Sequence, residues 1–96
     1  MINTNYKFGE VFPLAAQIAD NDSKVAFQQI VGNDNGGVVL LGFKAGQELE
    51  RHLAPAEVMI YVIEGDVDFM MNDMPLHLHK DDFFLMGNGV PHSVKA

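Results

Sequence analysis

Ninety-six residues make one small domain, and the absence of cysteine excludes disulfides, thiolate metal ligands and thiol nucleophiles. Thirteen acidic against six basic residues give a net charge of −7, with Arg51 the only arginine, so phosphate backbones and anionic membrane surfaces are poor partners. No apolar run approaches the roughly 20 residues that span a bilayer, and the polar start Met1–Lys7 lacks the plan of a signal peptide, so the expectation is a cytoplasmic protein.

Residues 1–23 are the least regular and read as an N-terminal arm. Phe12–Ala19 has room for a short turn of helix, bounded by Pro13 and by Asp20-Asn21-Asp22-Ser23. From Lys24 to Ala96 the pattern is that of β-strands. Val25, Phe27, Gln29 and Val31 alternate onto one face of a first strand. The run Gly32–Gly37 is a turn, because glycine and asparagine tolerate positive φ. Val38–Phe43 is the next strand, and Ala45-Gly46 turns again. Val58–Ile63 is apolar on both faces, as a strand covered from two sides would be. Glu64-Gly65 turns the chain into Asp66–Met71, where Val67, Phe69 and Met71 face inward and Asp66 and Asp68 outward. Asn72-Asp73 is a hairpin turn. Leu76 and Leu78 then face in, which leaves His77 and His79 as surface histidines despite their His-x-His spacing. Lys80–Asp82 turns, Phe83–Met86 is a strand, and His92–Lys95 begins another. Short strands at this spacing indicate an all-β sandwich or barrel.

Two stretches carry more than fold. Gly46, five residues, His52-Leu53-Ala54, then Val58, six residues and Gly65 form the first. Asp81, five residues, Gly87-Asn88-Gly89, two residues and His92 form the second. This layout resembles the two motifs of the cupin family: Gly, five residues, His-x-His, three or four residues, Glu, six residues, Gly; then Gly, five residues, Pro-x-Gly, two residues, His, three residues, Asn. The resemblance spans roughly residues 36–96. It implies a small, jelly-roll-like cupin β-barrel over residues 24–96. In such a barrel three histidines and a glutamate hold a divalent Fe, Mn, Ni or Zn ion, with positions left open for substrate. This chain keeps His52 and His92. Ala54 stands at the second histidine, Val58 at the glutamate, and Ala96 at the final asparagine. Glu57 lies one place early and, on a regular strand, points to the opposite face. Glu50 has the parity of His52 and is a third ligand only if the strand is regular there.

Several readings follow. His52 and His92 are either a retained polar site, for a metal or a small molecule, or hydrogen-bonded histidines of a barrel without one. In the first functional reading the barrel binds a small, partly apolar ligand, carbohydrate- or acid-derived. His52 and His92 anchor it, Ala54 and Val58 leave room, and Ile60 and Phe69 line the wall. In the second the protein is a metal-dependent isomerase, epimerase or dioxygenase with a reduced ligand set. In the third it is a structural or interaction barrel. The methionines read as core filler rather than a pocket lining, and Asp81-Asp82 as a solvated turn rather than a calcium loop.

A core this thin gains from a partner, since so short a chain buries only roughly two-thirds of its unfolded surface. Met59, Tyr61 and Ile63 on the outer face of their strand are expected to meet a second sheet or a second subunit. The resemblance implies a homodimer, with the N-terminal arm packing on the neighbour and an open sheet edge, or a partner's strand, after Ala96.

Overall fold

Regular pairing begins where the apolar alternation begins. In the computed structural model, which describes residues 1–96, β1 (Ala26–Asn33) and β2 (Gly36–Gly42) form an antiparallel hairpin around Asp34-Asn35. Gln29 pairs with Val39 and Val31 with Val38, so Ile30 is the extra residue of a bulge. The expected face is not the one the strand buries, since its even-numbered residues turn inward on both sides of the bulge. Val25 and Ile30 are buried, whereas Phe27 is 59% exposed and Gln29 also faces solvent. Gly37 is required by close approach, because a Cβ there would stand 2.7 Å from the Val31 carbonyl oxygen.

The hairpin belongs to the first of two compact units, Met1–Lys44; the second is Ala45–Ala96. Within the first unit the N-terminal arm is tied to its own chain. Asn3 exchanges two backbone hydrogen bonds with Gly32, at 2.6 and 3.0 Å, and the Thr4 hydroxyl donates to the Ile30 carbonyl at 2.7 Å. Tyr6 stacks on Phe12 at 4.3 Å. The arm's polar residues thus find partners on β1. The short helical turn is present as a 3₁₀ turn, Leu14–Gln17, directly after Pro13.

In the second unit, β3 (Glu48–Leu53), β5 (Val67–Met71), β6 (Met74–Leu78) and β8 (Pro91–Lys95) make an antiparallel sheet in the order β3-β8-β5-β6. β4 (Val58–Tyr61) pairs with β7 (Phe83–Met86) in a separate two-stranded ladder. The Val62 and Asp82 backbones extend that ladder, with Val62 N–H donating to the Asp82 carbonyl at 3.0 Å. Asn72 and Asp73 take φ of 49° and 70°, the left-handed pair that a two-residue hairpin needs. Asp81 takes φ of 72°, at the position where the cupin motif has glycine. A short polar side chain is the next best occupant of that region.

β8 lies between β3 and β5, so the sheet edge expected after Ala96 is not there: the edges are β3 and β6. β4 is covered on one side only. Val58 and Ile60 are half-buried and Ile63 likewise, while Met59 and Tyr61 are 69% and 55% exposed. The core of this unit is Val62, Phe69, Leu78, Met86 and Val94, with His92 the one buried polar residue. Met86 is the only methionine in it; Met59, Met70 and Met74 face solvent, against the expectation of core filler. No large side chain is sealed completely, as so small a chain dictates. No helix is long and apolar enough to cross a membrane.

Candidate functional site

The β3–β8 ladder sets His52 directly opposite His92, their ring centroids 4.1 Å apart and their planes at 59°. His92 is buried and His52 exposed. Each ring is oriented by its own strand. His52 Nδ1 lies 2.8 Å from the Glu50 carbonyl oxygen and His92 Nδ1 lies 2.9 Å from that of Val90. A carbonyl only accepts, so Nδ1 carries the proton in both bonds. In the neutral ring that leaves each Nε2 with a free lone pair.

An aromatic chain runs inward from this pair. The Phe69 ring lies parallel to that of His92 at 5.5 Å and meets Phe84 edge-on at 5.0 Å. Phe84 sits opposite Ile60 in the β4–β7 ladder, and Val58 sits opposite Met86. Ala54 follows β3, and its carbonyl accepts from the Gly89 N–H at 3.0 Å, which ties the first motif to the second. Val58 also borders a groove of about 390 Å³ with Glu57, Met59, Leu85, Met86 and Gly87. Glu50 is exposed. Leu49 pairs with Val94 and His52 with His92, so a bulge lies between them and the regular strand that Glu50 needed is interrupted.

The profile of the cupin domain family matches residues 39–96. The chain belongs to the cupin family. Its nearly all-β fold, of small cupin β-barrel type, agrees with known structures. A conserved protein of unknown function from Streptococcus pyogenes superposes with a TM-score of 0.87 at 19% identity, over 97% of this chain and 82% of that one. A cupin superfamily protein from Desulfitobacterium hafniense gives 0.85 at 16% identity, over 95% and 84%. A cupin 2 conserved barrel domain protein from Leptotrichia buccalis gives 0.83 at 24% identity; it covers 88% of this chain, which spans only 41% of it. No curated protein matches the sequence.

The cupin metal set can be tested against the side chains present. His52 and His92 supply two nitrogen donors, while Ala54 and Val58 supply none where a histidine and a carboxylate would complete the set. Two imidazoles without further donors do not fit the three-histidine, one-carboxylate centre.

A second group lies outside. β5 and β6 pair with Asp68 opposite His77, and Val67 opposite Leu78, on the hairpin closed by Asn72-Asp73. His77 Nδ1 bonds the Asp68 carboxylate, and His79 Nδ1 bonds that of Asp66 at 2.8 Å. The two rings meet edge to face at 4.6 Å. Asp66, His77 and His79 bring three possible metal-ligand atoms within 4.8 Å of one another. The parity reading that put His77 and His79 outward is right. Its omission was the pairing of the two strands, which the Asn72-Asp73 turn fixes.

The Asp68 hydrogen bond, partly offset by desolvation, raises the His77 pKa above its ordinary value of 6.5. The sign follows from linkage. A folded-state pKa raised above the unfolded one gives stability that is complete below about pH 6.5 and lost as pH rises through the folded value. An NMR titration of the His77 ring protons is therefore expected to show a midpoint above that of an unfolded reference. Asp68→Asn is expected to bring it down; an unchanged midpoint would remove the ion pair from the account.

Proposed function

We propose that this cupin binds a small, hydroxyl-bearing and partly apolar molecule between His52 and His92, without a resident metal at that place. The observation that carries this reading is the way both rings are held, each by its Nδ1 on a backbone carbonyl two residues back. Both Nδ1 atoms are engaged by backbone carbonyls, which leaves two Nε2 acceptors for ligand hydroxyls on rings whose centroids are 4.1 Å apart. Phe69, Ile60 and Val58 supply the apolar surface, and Ala54 and Val58 leave the volume that metal ligands would fill. A domain of residues 24–96 with an N-terminal arm, working in the cytoplasm, completes the proposal.

The test is ligand-observed NMR with a panel of sugars and short hydroxy acids. Saturation transfer to a member of the panel is expected for the native protein and is expected to vanish in His52→Ala, whose exposed position spares the core. Transfer that persists in His52→Ala, or its absence for the whole panel, overturns the reading.

We propose further that the chain is a homodimer joined over the β4–β7 ladder. Met59 pairs with Leu85 and Tyr61 with Phe83, and all four side chains are more than half exposed on one face. Contiguous apolar surface of this kind marks association. Sedimentation is expected to give a dimer for the native chain and a monomer for Leu85→Asp. A native monomer at high concentration counts against this interface.

A further inference from the structure

We propose that the outer face of the β5–β6 hairpin is a second site, for a divalent transition-metal ion, held by Asp66, His77 and His79. Strand geometry builds it. Residues two apart on a strand share a face, and the pairing of Asp68 with His77 sets Asp66 beside His79. One face therefore presents two carboxylates and two imidazoles in a cross-strand square. The hairpin turn fixes the register, so the group is prearranged rather than gathered from mobile loops.

Three donor atoms already lie within 4.8 Å of one another. Tetrahedral zinc, with metal–nitrogen bonds of about 2.0–2.1 Å, holds its ligand atoms about 3.4 Å apart. The side chains are exposed and free to close that difference by small rotations. Two imidazoles and one carboxylate select zinc, nickel or copper over magnesium and calcium, which favour all-oxygen sites. The ion keeps at least one position open, because only three side chains converge.

The surroundings favour a cation. Asp68 bonds His77 Nδ1, which leaves Nε2 of that ring for the ion and strengthens it as a ligand. Asp82 accepts the His79 backbone N–H at 2.7 Å and adds a further negative charge at the strand end. This site uses none of the residues between β3 and β8, so it stands or falls independently of the ligand reading above.

The experiment titrates zinc chloride alone into the full chain, read by calorimetry and by the histidine ring resonances. One ion per chain is expected, with shifts at His77 and His79 and none at His92. His77→Gln and His79→Gln are each expected to weaken zinc binding by at least about tenfold, and Asp68→Asn by about tenfold, the usual cost of removing a partner that orients a ligand. Asp66→Asn is expected to weaken it as well. A His52→Ala/His92→Ala variant is expected to bind zinc unchanged, and magnesium is expected to give no shifts. Zinc binding that survives loss of both His77 and His79, or no zinc binding at all, overturns the proposal.

Discussion

Phe69→Ala is expected to be the most damaging single substitution in the chain. Phe69 is 3% exposed and joins the two ring contacts on which the second unit is centred, with Phe84 on one side and His92 on the other. Emptying a buried phenylalanine site costs about 3–5 kcal/mol, through lost apolar burial and the cavity left behind. A domain of this size has only about 5–15 kcal/mol in total. At roughly 4–8 °C for each kcal/mol, the melting temperature falls by roughly 12–40 °C. Calorimetry or circular dichroism reads this directly. A drop of only a few degrees would mean that Phe69 is not the centre of this core. Phe69→Leu, which refills much of the volume, is expected to lose far less, and comparing the two separates packing from any effect on His92.

The second large effect is a gain. Adding Ala54→His and Val58→Glu completes the cupin ligand set around His52 and His92. Val58 is half-buried on the same face of β4 as Ile60, and Ala54 is joined through its carbonyl to Gly89 beside the second motif. The double variant is expected to bind one nickel or zinc ion more than about 100-fold tighter than the native chain at that place, a gain of about 2.7 kcal/mol. The measurement belongs in a His77→Gln/His79→Gln background, so that the outer hairpin contributes nothing. Two donors become four, and the added carboxylate offsets the cost of a charge held away from water. Failure to gain affinity would show that Ala54 and Val58 do not stand where the motif puts them.

Much of the fold was legible because turn chemistry and alternation agreed. Asn72-Asp73 had to be a hairpin turn, and it is. Val67, Phe69 and Met71 had to face one way and Asp66 and Asp68 the other, and they do. The motif glycines located the remaining turns, since Gly46, Gly65 and Gly89 all adopt positive φ.

The parts that were not legible are those where alternation fails. The bulge between Leu49 and His52 inserts one residue without leaving a composition signal and interrupts the parity on which a face assignment rests. That is why Glu50 could not be assigned from spacing, whereas Phe27 is exposed because β1 turns its even-numbered residues, Ala26, Gln28 and Ile30, inward. The candidate site divides in the same way. Motif spacing singled out His52 and His92, but their ring contact is a fact of the β3–β8 register. The Asp66, His77 and His79 group was readable in principle: all three residues were placed outward, and pairing their strands through the turn is the one further step.

The central position of β8 has a consequence for how the chain reaches this state. During synthesis β3 and β5 emerge first; until β8 follows, β3 has no sheet partner at all and β5 is paired on its β6 side only. Glu48 must find Lys95 and His52 must find His92 across more than thirty intervening residues, so sheet formation waits on long loop closure. Only the local hairpins, β1–β2 and β5–β6, can form early. His52 and His92 therefore come together in the same late event that completes the sheet, and an incompletely folded chain has open strand edges and no paired histidines between β3 and β8.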